Sequence, residues 1–421
     1  MIQEFRVKNF MSIRDEQTLS FEATKDTTSL EYLTYEVKPN LRLLKMAVLY
    51  GANASGKTNI LIALESLWRM LFAPMLDKNR QILYEPFALD KDKPTIFAIQ
   101  FYIDSVKYEY KVAFNDSYVL NEIFSFAPNG IMSTFYVREF VNESVAPKIK
   151  FGDLLQLSAK AKRAFIDNTL NNHTVLSTYA KISVDAKPFN VVHTWIKKYV
   201  HEEDEDLSIL DIAENILSND IKKKFVLTAL CKADFNISNL EIKEIPNEIP
   251  TEIKERIKND DSIPDSIKTD LLKEKKMDLE FTHHTNDGDF ALSVRLESNG
   301  TRKYIPLLER LYNMTIENHI YIFDEIERGI HYDLLLHYLS LFMMNTNASQ
   351  IIFTTHDQML LDEEFVRRDM VWFTEKSNDT GATELYSAAE FGLHKNLSLY
   401  KAYKSGRLGA KPSLGSIFIE Q

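Results

Sequence analysis

The sequence is poor in the features that mark secreted and membrane proteins. Its 421 residues contain one cysteine, Cys231, so no disulfide can form within the chain, which fits a reducing cytoplasm. No uninterrupted apolar run approaches the roughly 20 residues needed to cross a bilayer, and the first ten residues contain no apolar stretch typical of a signal peptide. We therefore expect a cytoplasmic protein without a membrane segment, so a transporter role would require a separate membrane subunit.

Positive charge is also in deficit. The 50 Lys and Arg residues face 61 Asp and Glu residues, which gives a formal net charge of −11. Because an acidic chain repels nucleic acid at long range, any contact with DNA or RNA would need a local basic groove or a partner that supplies one. Nucleic acid binding is therefore left open. Hydrophobic residues make up 45% of the chain, as is ordinary for a globular protein of this length with a large core.

Apolar patterning predicts an α/β protein. Residues 95–126 alternate as antiparallel strands do, whereas residues 150–275 are richer in helix formers and charge, with an irregular proline-containing connector over 244–265. From residue 300 onward, helices and strands alternate, which favours a parallel sheet covered by helices. The elements predicted there are a helix over 301–317, a strand at 319–323, a helix over 333–344, a strand at 350–355, a helix near 356–366 and a strand at 370–374.

Residues 51–58, GANASGKT, match the Walker A pattern of phosphate-binding loops in full. Gly51 and Gly56 permit backbone torsions that turn amide N–H groups toward phosphate oxygens, and Lys57 adds positive charge at the terminal phosphates. Thr58 offers a hydroxyl to Mg²⁺, and the helix that follows directs the positive end of its dipole at the anion. A buried strand before the loop and a helix after it disfavour a chance glycine-rich turn. The residues assigned to ATP binding from this motif are Gly51, Asn53, Ser55, Gly56, Lys57, Thr58 and Asn59.

An apolar strand, His319–Phe323, ends in two carboxylates, Asp324 and Glu325, as in the Walker B pattern. An aspartate at a strand end can hold Mg²⁺, and the adjacent glutamate can act as the general base for the attacking water. Two acids where a strand meets solvent are common, so this pattern gains weight only beside the Walker A motif. Thr58 and Asp324, the predicted metal ligands, are 266 residues apart, which indicates a large insertion between them.

Two further motifs flank the predicted Walker B strand. Residues 297–301, ESNGT, begin an amphipathic helix, where Ser298 can cap the helix and Gly300 lets a phosphate held by another chain approach closely. A plain helix cap explains this motif better when it is considered alone. His356 follows the next apolar strand and can contact the γ-phosphate, although a satisfied surface histidine is the simpler explanation without the other motifs.

In this order and spacing, the motifs resemble the ABC/SMC-like ATPase family. Within it the chain is similar to the bacterial defence ATPases of the RloA-like and AbiL-like group, which are related to the OLD (overcoming lysogenization defect) ATPases. The resemblance covers about 1–125 and 277–412 and is thin across 150–275. The segments that carry it are GANASGKTN (51–59), ESNGT (297–301), DEIERGIH (324–331), TTHD (354–357), the N-terminal FRVKNFMSI, RRDMVWF (367–373) and YKSGRLGAKP (403–412).

The resemblance implies an ABC-type ATPase head with a mixed or parallel sheet, an antiparallel β subdomain and a mainly helical insertion. The implied domains are 1–149 and 277–421, which form the head, and 150–276, which forms the insertion. In such proteins two heads sandwich ATP in a homodimer or a larger oligomer. Met11 stands where the N-terminal motif often has a basic residue, so no contact is assigned to it.

The resemblance also implies a role for each motif residue. Lys57 and Thr58 would hold phosphate and Mg²⁺, and Asp324 and Glu325 would act in the same protomer. Ser298 and Gly300 would reach the γ-phosphate bound by the other protomer, and His356 would be the switch histidine.

The function implied is an ATP-hydrolysing sensor or scaffold subunit of an anti-phage, abortive-infection type system. The TOPRIM nuclease domain of the OLD relatives has no room after the ATPase sheet, so we expect a separate effector of TOPRIM-like or RloB-type. The alternative is an SMC/RecF-like ATPase in DNA repair or chromosome maintenance, which would need long heptad arms, and residues 126–290 sustain no such pattern. A nucleotide-binding module with little turnover is a third possibility, which Glu325 argues against because a binder needs no base.

Overall fold

The computed structural model describes residues 1–201, 208–247, 249–260, 262–273, 275–392 and 397–412. The chain divides into two compact units, and the first is made of Met1–Glu203, Glu317–Ile326 and Met343–Gln421. The second is made of Asp204–Ile316 and Glu327–Phe342. The domain boundaries predicted at 149 and 276 remain a proposal, and the packing divides the chain at other residues.

The strands and helices are numbered in chain order. The strands are β1 (Ile2–Lys8), β2 (Gln17–Ser20), β3 (Thr34–Lys38), β4 (Leu41–Leu44), β5 (Met46–Gly51), β6 (Thr95–Ile103), β7 (Val106–Phe114), β8 (Val119–Ala127), β9 (Ser133–Glu139), β10 (Lys148–Phe151), β11 (Val200–His201), β12 (Ile237–Pro246), β13 (Lys275–Thr285), β14 (Gly288–Ser293), β15 (Ile320–Phe323), β16 (Gln350–Thr354), β17 (Val371–Lys376) and β18 (Thr383–Ser387). The α-helices are α1 (Leu30–Leu33), α2 (Lys57–Phe72), α3 (Ala159–Asn168), α4 (Val175–Thr178), α5 (Lys187–Tyr199), α6 (Ile209–Leu217), α7 (Asp220–Lys232), α8 (Thr251–Asn259), α9 (Asp265–Leu271), α10 (Asn299–Ile316), α11 (Tyr332–Asn345) and α12 (Leu399–Lys404). Short 3-10 turns occur at Asp153–Leu155, Tyr179–Lys181, Gln358–Asp362, Arg368–Met370 and Ala388–Phe391.

A six-stranded sheet of the first unit, in the order β11-β15-β16-β5-β17-β18, positions the predicted nucleotide-binding residues. All its neighbouring pairs are parallel except β17 and β18. Strand β5 lies in the interior of this sheet and all six of its residues are buried, as its continuous apolar run predicts. Because parallel strands end at the same edge, the residues that follow β5, β15 and β16 meet there.

A seven-stranded antiparallel sheet, in the order β10-β9-β8-β7-β6-β1-β2, forms the other large sheet of the first unit. Helix α2 buries one apolar face, and its Trp68 lies edge-on to Trp195 of α5, with ring centroids 6.1 Å apart. The Trp195 ring in turn stacks on Phe101 of β6 at 5.0 Å. These large aromatic side chains exclude water around the far end of the helix that the phosphate loop opens.

The second unit contains a three-stranded antiparallel sheet, β12-β13-β14, together with α6, α7 and α10. Helix α7 contacts α10 through a buried ion pair in which the Lys222 ammonium lies 2.8 Å from the Glu309 carboxylate. Asn215 of α6 donates to the same carboxylate at 3.2 Å. The buried charges are therefore paired and hydrogen-bonded, which offsets much of their desolvation cost.

The predicted fold class is confirmed, since the described part of the chain is α/β with one mixed sheet and three antiparallel sheets, the smallest of them the pair β3-β4. The helix predicted near 356–366 is wrong, because the Asp357 side chain accepts from the Met359 amide and starts only a 3-10 turn, Gln358–Asp362. The connector predicted over 244–265 contains helix α8, Thr251–Asn259, which Pro250 precedes at its N-cap. Helices in the described ranges do not combine the length and apolar character that a membrane span requires.

Candidate nucleotide-binding site

The loop between β5 and α2 has the geometry of a phosphate cradle. Gly56 precedes the helix at a φ of +105°, and Ala54 is also left-handed at +62°. At Gly51 an added Cβ atom would collide with Ser55 Oγ and with Thr374 Oγ1, so only glycine fits there. These torsions and the close approach bring the loop against the N-terminus of α2, where backbone N–H groups and the helix dipole favour an anion.

Lys57 lies inside this loop. Its side chain is 6% exposed, and Nζ donates to the carbonyl oxygens of Gly51 at 3.0 Å and Ala52 at 3.3 Å. An ammonium held by carbonyls of the loop itself stands at the floor of the cradle, where phosphate oxygens would replace those carbonyls as acceptors. The role of Lys57 at the terminal phosphates stays a prediction.

Asp324 meets Thr58 across 266 residues of sequence. Thr58 Oγ1 donates to Asp324 Oδ2 at 2.9 Å, and Thr354 Oγ1 donates to the other carboxylate oxygen. The hydroxyl and the carboxylate form an oxygen donor set of the kind that Mg²⁺ prefers, so these residues fit the ion that the motifs imply. The parallel order β15-β16-β5 explains the meeting, because it places all three strand ends side by side.

Glu325 lies beside Asp324 in a left-handed conformation, with φ +50°. Its amide donates to Thr354 Oγ1 at 2.7 Å, and its Oε1 lies 3.5 Å from Nε2 of His356. The side chains of Glu325 and His356 are 44% and 39% exposed, so both reach water. A carboxylate with water access beside an imidazole is suited to accept a proton from a water molecule.

Three hydroxyl side chains that the sequence analysis did not identify, those of Ser12, Thr374 and Thr383, form a hydrogen-bond network with the phosphate loop. Thr383 Oγ1 donates to the Ser55 carbonyl at 2.8 Å and lies 2.7 Å from Ser12 Oγ. Ser55 Oγ lies 2.6 Å from Thr374 Oγ1. No local pattern marks Ser12, Thr374 or Thr383, because hydroxyl residues are frequent and these become neighbours only when β17 and β18 join the sheet.

The other predicted binding residues on the loop differ in orientation. Asn53 is exposed and lines a cleft of about 370 Å³ together with Gly51, Ala52 and His356. The amide of Asn59 instead donates to Ser12 Oγ at 2.6 Å. Asn59 therefore joins the hydroxyl network, and its contact with a nucleotide stays a prediction.

Ser298 and Gly300 belong to the second unit. Ser298 Oγ accepts from the Thr301 amide at 3.0 Å, as a residue at the start of α10 does when it caps the helix. A Cβ atom added to Gly300 would meet nothing closer than Ser298 Oγ at 3.5 Å, so the backbone there is open. The predicted contact of these residues with a second protomer remains a proposal.

Comparison with known proteins identifies the family. Residues 46–362 of the 421 match the protein family described as "AAA domain, putative AbiEii toxin, Type IV TA system". The chain belongs to this AAA family. The predicted assignment to the P-loop ATPases is thereby confirmed, whereas the RloA-like, AbiL-like and OLD-related subgroup stays a proposal. No curated protein matches the sequence at a significant level.

Several solved structures of SMC heads cover nearly the whole AAA-family chain at low similarity. The SMC head bound to the C-winged helix domain of ScpA is 15% identical in sequence and has a TM-score of 0.39, and the match covers 96% of this chain and 99% of the SMC head chain. The SMC head domain from Thermotoga maritima is 12% identical, with coverages of 92% and 98% and a TM-score of 0.41. The Smc head with an extended coiled coil, bound to the C-terminal domain of ScpA derived from Pyrococcus furiosus, is 13% identical, with coverages of 97% and 99% and a TM-score of 0.37. At these scores the likenesses carry no argument about function.

Proposed function

We propose that the chain binds ATP with Mg²⁺ at the Gly51–Thr58 loop and hydrolyses it with Glu325 as the general base. The observation that carries this proposal is the 2.9 Å hydrogen bond between Thr58 and Asp324. It joins the phosphate loop to the acidic strand end from opposite parts of the sequence, and it lies beside a glutamate that is open to water.

The chemistry assigned to the chain follows from these positions. Thr58 and Asp324 would hold Mg²⁺, which when bound supplies positive charge to the phosphate oxygens. Lys57 would hold the terminal phosphates. Glu325 would take a proton from the water that attacks the γ-phosphorus, while the bond from that phosphorus to the bridging oxygen breaks and ADP leaves. His356, at 3.5 Å, would orient the Glu325 carboxylate.

The cellular role that we propose is an ATPase subunit of an anti-phage, abortive-infection type system. The family description, which names an AbiEii toxin and a Type IV toxin–antitoxin system, supports this link. We further propose that two chains share their ATP sites and that a separate effector, of TOPRIM-like or RloB-type, carries out the damaging reaction. In the described ranges no group of three or more His, Cys, Asp or Glu side chains is placed to hold a metal ion for a nuclease reaction.

The test uses the chain in its own host, with and without its neighbouring genes. We expect protection against phage from the complete set, and loss of protection with Lys57→Ala, because the charge at the phosphates is removed. The matched control is Lys160→Ala, which removes an exposed lysine of α3 and should leave protection unchanged. Protection by this chain alone would contradict the separate effector, as would DNA or RNA cleavage by the purified chain that disappears in a catalytic variant.

A further inference from the structure

The segment that follows β18, from α12 to Pro412, returns to the proposed nucleotide cleft. The ring of Tyr403, at the end of α12, stacks on Phe373 of β17 at 5.3 Å and lies 6.2 Å from Tyr50 of β5. Its hydroxyl donates to the Ala410 carbonyl at 3.0 Å. Burial raises the pKa of the Tyr403 phenol, so the hydroxyl stays a donor at neutral pH. Tyr403 therefore joins the C-terminal turn, residues 403–412, to the strand that carries the phosphate loop.

A second contact holds the C-terminal turn against the β17–β18 hairpin. Tyr386 of β18 donates to the Leu408 carbonyl at 3.0 Å. Gly409 has a φ of +62°, and an added Cβ atom would lie 2.5 Å from Glu375 Oε2 and 2.6 Å from the Tyr386 hydroxyl. A larger residue there would have to move the Glu375 carboxylate and the Tyr386 hydroxyl, and it would be strained at this positive φ. The same hairpin carries Thr374 and Thr383, which hold the phosphate loop.

The cleft beside the loop has lining residues that no motif assigns. Besides Asn53 and His356, the lining of the 370 Å³ cleft includes Gln358, Tyr403 and Pro412. Gln358 is exposed, and its side chain forms no hydrogen bond with a side chain or backbone group in the described ranges, so its amide can donate to a ligand. Tyr403 is different, because its ring and hydroxyl are committed to the contacts described above.

The charge on the C-terminal turn favours an anion. Three cationic side chains, those of Lys404, Arg407 and Lys411, are exposed on it, and none forms an ion pair with a described residue within 4.0 Å. The Lys411 ammonium donates to the Lys404 carbonyl at 2.8 Å, which keeps two of these charges close together. These three cations lie on the turn whose Tyr403 and Pro412 line the cleft, and they outnumber the Glu375 carboxylate beside Gly409, so in a chain of net charge −11 the turn favours a polyanionic ligand.

We propose that Gln358 and Pro412 form a further wall of the nucleotide site, which faces the phosphate tail of ATP. The proposal rests on the proposed ATP binding and adds to it. Gln358 would donate from its amide to a phosphate oxygen, and Pro412 would bring the basic turn to the mouth of the cleft. Tyr403 is the positioning residue, since it holds the turn in place without facing the ligand with a free polar group.

The test introduces one carboxylate at each of four exposed positions. Gln358→Glu and Pro412→Glu place the charge in the cleft lining. The matched controls, Met359→Glu and Ser405→Glu, place the same charge on the neighbouring turns at residues outside the lining. The dissociation constants of ATP and ADP with Mg²⁺ are measured by calorimetry for all four variants and for the wild type, with Lys57→Ala as the reference for a lost site.

We expect the two lining variants to weaken ATP binding about tenfold, because a carboxylate repels the phosphate tail in a partly shielded cleft. ADP should be weakened less, since it has one phosphate fewer, and the controls should change either constant by less than about twofold. Equal weakening by the lining and control variants would overturn the proposed wall. Equal weakening of ATP and ADP binding would overturn it too, because it would place the adenine of the nucleotide, and not its phosphates, in this cleft. Absence of ATP binding by the wild type would overturn the proposed function and the wall with it.

Discussion

The backbone of Glu325 shows how one residue is held for its proposed role. A left-handed conformation costs a non-glycine residue roughly 1 kcal/mol, and here the φ of +50° is retained. Hydrogen bonds on either side oppose that cost, because the Glu325 amide donates to Thr354 Oγ1 and the Ile326 amide donates to the Thr354 carbonyl. The strained turn directs the side chain toward His356, as the proposed roles of general base and switch histidine require.

The residue-scale prediction concerns this carboxylate. Glu325→Gln keeps size and shape but cannot accept the proton of the attacking water, so we expect ATP binding close to that of the wild type. Hydrolysis should fall by about 10²-fold or more. Phosphate release under single-turnover conditions and ATP binding by calorimetry are the measurements. Glu364→Gln, an exposed glutamate away from the site, is the control. Hydrolysis by Glu325→Gln at the wild-type rate would show that the assigned base is wrong.

At the scale of elements, the phosphate loop depends on parts of the chain that lie far from it in sequence. The β17–β18 hairpin supplies Thr374 and Thr383, and the turn after β1 supplies Ser12. Thr383 is buried, and its amide also donates to the Ser12 carbonyl at 2.8 Å. The loop therefore has a preformed shape, which reduces the ordering cost of binding an anion.

The element-scale prediction removes the central hydroxyl of this network. Thr383→Val keeps the shape of the side chain but removes the hydroxyl that donates to the Ser55 carbonyl and one of the two partners of Ser12 Oγ, which costs about 1–3 kcal/mol. We expect the KM for ATP to rise several-fold while kcat changes less, because the phosphate loop loses its preformed shape whereas Glu325, the proposed general base, keeps its position. Steady-state kinetics and thermal melting are measured together.

Two further variants separate positioning from simple loss of stability. Thr383→Ser restores the hydroxyl and should restore the KM. Combined with Ser12→Ala, Thr383→Val should add little, since both changes break one network. A Thr383→Val protein with a lowered melting temperature and an unchanged KM would show that the network supports only the fold.

At the scale of the whole molecule, the predicted ATP-site residues fall in both compact units. The phosphate loop, Asp324, Glu325 and His356 belong to the first unit, whereas Ser298 and Gly300 belong to the second. The proposed assembly pairs Ser298 and Gly300 of one chain with the phosphate loop of another. Gly300 lies in the first turn of α10 in a helical conformation, so an aspartate fits its backbone and suits the positive end of the helix dipole.

The whole-molecule prediction is a complementation between two inactive chains. Gly300→Asp should fold but lack ATPase activity, because its carboxylate would oppose the γ-phosphate, and Lys57→Ala should lack activity because it does not bind ATP. Mixed under conditions where subunits exchange, the two should recover part of the wild-type ATPase rate, since one shared site regains two intact halves. Each variant mixed with itself is the control. No recovery between subunits shown to exchange would contradict a shared site.

Local patterns in the sequence determine much of the fold. The apolar run of β5, the helical spacing of α10 and the apolar strand before Asp324 each predict their element, because burial of a short strand or of one helix face depends on nearby residues. Apolar spacing gave a wrong prediction where a side chain forms a hydrogen bond with the backbone that a helix would otherwise use. The Asp357 side chain starts a 3-10 turn in place of the helix predicted near 356–366.

What the sequence determined by itself was the chemistry of the site, through the glycines, lysine, threonine and carboxylates of its two Walker motifs. Tertiary structure alone decided which distant groups serve them. Ser12 reaches Thr383 across 371 residues, and no local spacing predicts that contact. Thr58 and Asp324, which the Walker motifs already pair, meet across 266 residues. The order of strands in the parallel sheet sets the contact between Thr58 and Asp324, because it determines which strand ends share an edge. The contact between Ser12 and Thr383 forms where the turn after β1 meets the start of β18. Gln358 and Pro412, to which the motifs assign no role, are likewise brought to the cleft beside the phosphate loop by the fold.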